Sequence, residues 1–273
     1  MISSDIPLNQ GCLQPIKIVC PPGTLLTPSF TAATVGSTGE TTNRVIDLIF
    51  KAFHTAAASQ GTCNNVTFGY GGKDPQTGEI VKGFGYYETI AGGAGAGANW
   101  DGESGVHTGV TNTRIGDPEI FEKRYPIILH EFSIRQGSGG AGLHPGGDGC
   151  VRDIEFRIPV QVSILSERRV NAPYGLAGGC EGKRGENVWV RRDQATGEIR
   201  RVGMSGKSTA NMNAGDHFII YTPGGGGYGR DPNMKEPKKP KGEFKVHEKF
   251  IRKPALFRVN GSVSNRQAMA TSN

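Results

Sequence analysis

The feature that most constrains the fold is an alternation of apolar and polar side chains across residues 151–165. After Arg152, every even position up to 164 is apolar: Ile154, Phe156, Ile158, Val160, Val162 and Ile164. The odd positions 153, 155 and 157 between them are charged. A period of two with one polar face is typical of an antiparallel strand that covers a core on one side. The run therefore predicts one long strand.

Other segments repeat strand signals on a smaller scale. Short strands are predicted at residues 15–20, in the segment 125–135 and in "DHFIIYTP" near residue 220. Two hairpins are predicted, one around "KDPQTGE" with strands at 68–70 and 80–83, and one in "NVWVRRDQATGEIRRV". Both loops contain D-x-x-T-G-E-I, a turn-forming composition, but two similar turns do not make a repeat protein.

One helix is predicted, in "TGETTNRVIDLIFKAFHTAAA". Apolar side chains recur at helical spacing and form a stripe; they are Val45, Ile46, Leu48, Ile49, Ala52 and Phe53. Thr41 or Thr42 is the expected cap, and Gly61 follows the expected end. The expected class is α+β and β-dominated, with antiparallel sheets, hairpins and at least one packed amphipathic helix.

Glycine contributes 42 of the 273 residues, about twice the ordinary share. No collagen-like period accompanies it, so we expect a loop-rich globular protein. The run "GGAGAG" at residues 92–97 is not followed by the apolar helix that a dinucleotide-binding fingerprint requires. "GMSGKST" resembles a P-loop, but Arg201 stands where its first glycine is needed and a strand pattern follows. Close packing of backbone against backbone is the prediction for the glycine run, with the lining of a ligand pocket as its alternative.

The net charge of +6 is concentrated at the C-terminus. Residues 230–273 hold 11 Lys and Arg against 4 Asp and Glu, so residues 1–229 carry a charge close to zero. We expect residues 1–229 to form the folded part and residues 230–273 to be a poorly ordered basic tail. Charge gives no reason to expect nucleic acid or a membrane as a partner of the folded part.

Five scattered cysteines without a C-x-x-C pair suggest a reducing compartment, so we expect a cytoplasmic protein. No secretory signal or membrane-length apolar run is visible. The six histidines show no H-E-x-x-H or paired ligand spacing, so we expect no metal bound by this chain alone. A G-x-S-x-G nucleophile motif is also missing from the sequence.

Polar and charged residues crowd the segment after the glycine run. Asp101, Glu103, His107, Asn112, Arg114 and Asp117 lie on a loop with little apolar content. Loops over a rigid scaffold often carry binding and catalytic groups. A solvated surface loop with local turns is the alternative interpretation, and composition alone does not exclude it.

Several blocks resemble the hydantoinase B/5-oxoprolinase family, in particular the C-terminal part of its eukaryotic ATP-dependent 5-oxoprolinases. They occur in order between about residue 3 and residue 229, and they include "YYETIAGGAGAG", "SGVHTGVTNTRIGDPEIFEKRYPI", "GGDGCVRDIEF", "ERRVNAPYGLAGG" and "TPGGGGYG". The resemblance implies ATP-dependent opening of a cyclic amide, 5-oxo-L-proline to L-glutamate or a hydantoin. It implies ATP and a divalent metal for a full-length enzyme, neither of which we expect this chain to bind.

The resemblance also implies roles for the loop residues. His107, Asp101 and Glu103 are the candidate catalytic residues, with His107 as acid or base, and Asn112 and Arg114 are the candidate substrate-binding residues. The family pattern H-[ST]-H-M-T-N-T-R is altered here, because Gly109 and Val110 replace its second His and its Met. If that second His is needed, the chain is impaired.

The first residues resemble an internal segment of the family, so we expect the ATP-binding half and the early B-type region to be missing. One hypothesis is a fragment or short paralogue of the hydrolase, inactive alone and completed by an ATP-binding half or a homologous subunit. The alternative is a non-catalytic interaction protein that retains the family scaffold.

Overall fold

The structure of the protein is a computed structural model that describes residues 7, 9–73, 77–193 and 195–232. The chain divides into two units, residues 1–232 and residues 233–273. The second unit lies outside the described residues, and the expectation of a poorly ordered tail therefore concerns a part of the chain that the structure does not describe. No helix among the described residues is long and apolar enough to cross a bilayer.

The described residues form two α-helices and nine β-strands. The helices are α1 (Thr42–Ala52), preceded by a π-helical turn at Ser37–Thr41, and α2 (Pro118–Arg124). The strands are β1 (Asn65–Lys73), β2 (Ile80–Glu88), β3 (Ile127–Arg135), β4 (Gly149–Phe156), β5 (Val160–Leu165), β6 (Glu186–Arg192), β7 (Ile199–Met204), β8 (Lys207–Met212) and β9 (His217–Tyr221).

All strand pairs are antiparallel, and the strands form two sheets. One sheet has the order β2-β1-β5-β8, and the other has the order β3-β4-β9-β6-β7. Both predicted hairpins are present, as the pairs β1–β2 and β6–β7. The predicted α+β, β-dominated class is confirmed.

The two sheets share one hydrophobic core and therefore pack face to face. Val66 and Phe68 of β1 belong to the same buried cluster as Ile154 and Phe156 of β4. The rings of Phe68 and Phe156 lie 5.2 Å apart in an edge-to-face arrangement, which is a favourable geometry for aromatic pairs. This sandwich is the rigid body on which the loops discussed below are mounted.

The alternation across residues 151–165 has the predicted phase but not the predicted single strand. Its even positions turn inward throughout the strands, and Ile154, Val162 and Ile164 are all buried. The run is nevertheless divided between β4 and β5, which belong to different sheets. Pro159 lies in the break, where the missing N–H prevents it from continuing the hydrogen-bond ladder. One apolar stripe thus serves both walls of the core.

The strand predicted at residues 15–20 is wrong. Residues 16–20 adopt no regular structure, and the side chains of Ile16, Ile18 and Val19 are exposed. A strand requires a neighbour for its backbone groups, and no described strand pairs with this segment. Local β-propensity alone is insufficient to form one.

Helix α1 forms where predicted but ends earlier and packs with the opposite face. It ends at Ala52 rather than near Gly61, with Phe53 as the C-cap. Its buried residues are Asn43 and Asp47, whereas Leu48, Ile49 and Phe53 are exposed. Buried polar groups need hydrogen-bond partners, and the body of the protein supplies them to this face. Leu48, Ile49, Ala52 and Phe53 of the apolar stripe consequently face solvent, whereas Val45 and Ile46 are partly buried.

The glycine run is a site of close backbone packing, as predicted. A Cβ atom at Gly93 would lie 2.0 Å from the carbonyl oxygen of Gly147, and one at Gly225 would lie 1.9 Å from that of Ala94. Backbone hydrogen bonds cross-link the same segments, such as Gly225 N–H to Gly147 O at 2.8 Å and Gly147 N–H to Ala94 O at 2.9 Å. The residues that follow the run are thereby mounted on a rigid layer of backbone.

Candidate functional site

A cleft of about 570 Å³ separates α1 from the loop that carries His107. Helix α1 supplies Asn43, Ile46, Asp47, Ile49 and Phe50 to its wall, and the loop supplies Thr108 and Gly109. The helix thus presents both polar and apolar side chains to one opening. A mixed lining of this kind suits a small molecule that has an apolar ring and polar substituents.

The loop is joined to α1 through a buried thiol. The side chain of Asn43 donates to Gly39 O at 2.5 Å and contacts Cys63 Sγ at 3.3 Å. On its other side, Cys63 Sγ lies 2.8 Å from Thr111 Oγ1. Burial raises the pKa of the Cys63 thiol, so the group stays protonated and serves as a hydrogen-bonding link rather than a nucleophile.

Asp47 is the second polar anchor of α1. Its carboxylate accepts hydrogen bonds from the guanidinium of Arg168 and, at 3.1 Å, from the backbone N–H of Ser59. The hydroxyl of Tyr174 donates to the backbone carbonyl of Asp47. Burial raises the pKa of Asp47, while the adjacent Arg168 opposes that rise. The helix is therefore fixed in its orientation by charge and hydrogen bonds.

Glu40, in the turn before α1, is buried beside the same anchors. Burial raises its pKa to about 6, although hydrogen bonds from Thr62 and from the backbone N–H of Cys63 lower it. The Cys63 N–H donates to Glu40 Oε1 at 3.2 Å, whereas Oε2 has no hydrogen-bond partner among the described residues. An acid with this pKa can hold a proton under mildly acidic conditions.

His107 is half-buried at the start of the loop. Burial lowers its pKa, so the imidazole is neutral at pH 7. Its Nε2 lies 3.5 Å from Thr113 Oγ1, and Thr113 in turn contacts Thr89 at 2.6 Å. The buried Nδ1 has no partner in the described part of the chain. A neutral ring with an unused nitrogen is chemically able to accept or donate a proton.

The other predicted site residues are dispersed over the loop. Asp101 is exposed and contacts His144, with 2.9 Å between Oδ1 and Nδ1. The side chain of Glu103 is exposed, while its backbone carbonyl accepts a hydrogen bond from Ala94 N–H at 2.9 Å.

Asn112 and Arg114 are exposed as well. Within the described residues, no hydrogen bond or ion pair joins any two of the five predicted residues. Asp101 instead contacts His144, His107 contacts Thr113, and the backbone of Glu103 contacts Ala94. Their catalytic and substrate-binding roles stay predictions.

Sequence reasoning missed the polar anchors beneath the loop. Asn43 and Asp47 are four residues apart and so share a face of α1, and that spacing was the available signal. The apolar stripe of the same helix favoured the opposite interpretation, because amphipathic helices usually bury their apolar face. Cys63 and Thr111 carry no local signal, since they are 48 residues apart.

A group of potential metal ligands was also missed. His130, Glu155 and His217 place one ligand atom each within 4.8 Å of one another. They come from β3, β4 and β9, so no short motif could reveal them. The group lies on the sheet, on residues distinct from those that line the cleft beside α1.

Similar proteins are found along most of the chain. The family model for hydantoinase B/oxoprolinase matches residues 1–231. The 5-oxoprolinase of Saccharomyces cerevisiae is 55% identical over 84% of this chain and 18% of that relative. 5-Oxoprolinase 1 of Arabidopsis thaliana is 53% identical over 84% of this chain and 17% of that relative. The chain therefore spans about a fifth of the length of these two relatives.

Among solved structures, an ATP-dependent caprolactamase from Pseudomonas jessenii matches 67% of this chain and 32% of its own. Its sequence identity is 23% and its TM-score is 0.47, values at which the likeness assigns neither fold nor function. The sequence match is much stronger evidence than this structural likeness, because the family model covers nearly all of the described residues. The chain belongs to the hydantoinase B/oxoprolinase family.

Proposed function

We propose that this chain supplies the C-terminal part of a hydantoinase B module to an ATP-dependent hydrolase that opens a cyclic amide, 5-oxo-L-proline to L-glutamate. The reaction class is supported by the family match over residues 1–231, and the need for a partner is carried by the orientation of α1, whose polar side is buried and whose apolar side is exposed beside the cleft. A partner that covers this side completes the site. The chain is inactive alone.

The exposed side of α1 suits a protein partner. Leu48, Ile49 and Phe53 are 61%, 48% and 76% exposed. Burying such a side chain fully stabilises an assembly by roughly 1.5–3 kcal/mol. The partner to which we commit is the remaining part of a hydantoinase B module, because the family relatives are about five times as long as the segment matched here.

The proposed chemistry begins with the partner. An ATP-binding half phosphorylates the amide oxygen, which turns a poor electrophile into one that water attacks. The tetrahedral carbon then releases the ring nitrogen, which takes up a proton, and the resulting acyl phosphate is hydrolysed by a second water to glutamate and inorganic phosphate. His107, neutral because of its burial, is the proposed group that moves protons in this step.

The loop residues around His107 have proposed positioning roles. The planar guanidinium of Arg114 suits the carboxylate of 5-oxoproline, because it can donate two parallel hydrogen bonds. Asn112 is proposed to bind the substrate beside it, and Asp101 and Glu103 to position the water or His107. These roles rest on the family resemblance and on the loop's place at the cleft.

The test is reconstitution. ATP-dependent release of glutamate from 5-oxoproline is measured for the purified chain, for a yeast 5-oxoprolinase lacking its matching segment, and for the mixture. We expect activity in the mixture alone. His107→Ala should abolish it while leaving association unchanged, and Phe53→Glu should prevent association. Ile199→Glu, at another apolar and exposed position, on the β6–β7 hairpin, is the control and should leave both intact.

A non-catalytic role is the second candidate, and Gly109 favours it. A Cβ atom at this position would lie 2.2 Å from Asn43 Oδ1, so the loop path seen here does not accommodate the histidine of the family pattern. This candidate predicts association with the longer partner without ATP-dependent glutamate release. If the two chains associate but their mixture releases no glutamate, the non-catalytic role replaces the catalytic proposal.

A further inference from the structure

Three side chains that do not line the cleft meet on one sheet. His130 Nε2 lies 2.6 Å from Glu155 Oε2, and His217 Nε2 lies 3.7 Å from the same oxygen. The two imidazole rings stack with centroids 4.7 Å apart. One carboxylate oxygen is thus approached by two imidazole nitrogens.

The strand register explains how residues so distant in sequence come together. Glu155 of β4 pairs directly with His217 of β9. On the other edge of β4, the register with β3 shifts between Leu129 and Glu131, which leaves His130 in the irregularity. Bulges redirect side chains and are frequent beside functional sites. Here the irregularity brings His130 to Glu155.

A further carboxylate orients one of the imidazoles. Asp153 Oδ1 lies 3.0 Å from His217 Nδ1. This contact favours the tautomer with a proton on Nδ1 and leaves the lone pair of Nε2 directed at the Glu155 side. Metal-binding histidines commonly make this contact, which fixes the ring and strengthens the ligand.

We propose that His130, Glu155 and His217 bind a divalent transition-metal ion of the Zn²⁺ type. Two imidazoles and one carboxylate form a ligand set that Zn²⁺ accepts, whereas Mg²⁺ and Ca²⁺ prefer oxygen ligands. Zinc bonds of about 2.0–2.2 Å at tetrahedral angles separate ligand atoms by roughly 3.3 Å. The two distances to Glu155, 2.6 and 3.7 Å, bracket this value, and all three ligand atoms lie within 4.8 Å of one another, so the three side chains would have to rotate to close on an ion.

The proposed site has room for ligands from solvent. The side chains of His130, Glu155 and His217 are 42%, 25% and 26% exposed. Three protein ligands and an open position are the arrangement of zinc sites that hold water or a small anion. The rival explanation is a simple ion pair between protonated His130 and Glu155. A metal site predicts that added Zn²⁺ binds at these residues, whereas an ion pair predicts that it does not.

The test uses the full chain, stripped of metal and with Cys12, Cys20 and Cys180, the cysteines that are not buried, alkylated. Zn²⁺ is titrated by calorimetry, and Co²⁺ by its visible absorption. We expect a single equivalent in the wild type, at least a tenfold weaker affinity in His130→Gln and His217→Gln, and a 10–100-fold weaker affinity in Asp153→Asn. His144→Gln is the matched control, since His144 also contacts a carboxylate, that of Asp101, but has no third ligand among the described residues.

A second measurement does not depend on how the variants fold. Diethyl pyrocarbonate modifies accessible histidines, and mass spectrometry locates the products. Zn²⁺ should protect His130 and His217 in the wild type and leave His144 reactive. Equal binding by His130→Gln, His217→Gln and wild type, the absence of a single-equivalent isotherm, or unchanged modification of His130 and His217 would each overturn the proposal.

Discussion

Arg168 donates a hydrogen bond from its guanidinium to the carboxylate of Asp47, and both side chains are almost completely buried. Arg168 has a φ of 61°, a left-handed conformation that is uncommon outside glycine. It also donates to Ala172 O at 3.0 Å. This pair holds the polar face of α1 against the body and thereby leaves the apolar face outward.

Removing one member of the Asp47–Arg168 pair should weaken the packing of α1 against the rest of the protein. Asp47→Leu leaves the Arg168 guanidinium buried without its charge partner, which typically costs about 3–5 kcal/mol. Glu198→Gln is the matched control, because the Glu198–Arg200 pair is exposed and should contribute less than about 1 kcal/mol. Urea denaturation measures both. Similar small losses in the two variants would contradict a structural role for the buried pair.

In a second buried ion pair, replacing both members should cost less stability than replacing one. Arg152 donates to both oxygens of Glu88, at 2.7 and 2.9 Å, and thereby links β4 to β2. Glu88→Leu alone should lower the free energy of unfolding by about 3–5 kcal/mol, because it leaves the buried guanidinium of Arg152 without its charge partner.

The double variant Glu88→Leu/Arg152→Met should recover most of that loss, since hydrophobic residues often replace buried ion pairs at little cost. Thermal and urea unfolding of the two single variants and the double variant complete the cycle. Additive losses would show that the two side chains do not interact in the folded protein.

Glu40 should make the stability of the protein depend on pH. Its pKa rises from an ordinary 4.5 to about 6 on folding, so between these values the folded state binds the proton more tightly than the unfolded state. Stability contributed by protonation is present below pH 4.5 and is lost as the pH rises through about 6. The loss is about 2 kcal/mol, from 1.36 kcal/mol per pKa unit.

Glu40→Gln should remove this dependence and be more stable than the wild type at pH 8. Melting temperatures between pH 4.5 and 8 provide the comparison. Glu79→Gln, which changes an exposed glutamate, is the control and should follow the wild type. A Glu40→Gln curve parallel to that of the wild type would show that Glu40 does not titrate as proposed.

The sequence predicted those parts of the fold that local patterns determine. The two hairpins follow from the turn composition of their loops, and the inward face of residues 152–164 follows from a period of two within the segment. The strand at 15–20, the break at Pro159 and the buried face of α1 depend on which partners are available elsewhere in the chain. No local pattern contains that information.

The same distinction applies to the candidate site. The loop was identified from its composition, and its glycines pack backbone against backbone as predicted. The contact of Asp101 with His144 spans 43 residues, and that of Asp47 with Arg168 spans 121. Long-range partners of this kind decide which polar groups are anchors and which stay free for a ligand, so their roles could not be assigned from spacing.

Gly109 should be intolerant of any side chain. It has a φ of 66°, which disfavours other residues, and a Cβ atom would meet Asn43 Oδ1 at 2.2 Å. Gly137 has a φ of 67° with no atom within 4 Å of a Cβ, so Gly137→Ala measures the backbone strain alone, about 1–3 kcal/mol. Gly109→Ala should be destabilised by more than that control.

The additional loss in Gly109→Ala measures the contact with Asn43. Asn43→Ala should itself destabilise α1, but in the double variant with Gly109→Ala the two losses should be less than additive, because the clash is removed. Urea denaturation of the four variants tests this. Equal losses in Gly109→Ala and Gly137→Ala would mean that the loop moves away from α1 at no cost. A histidine at position 109 would then be compatible with this chain, and the structural objection to a catalytic role would disappear.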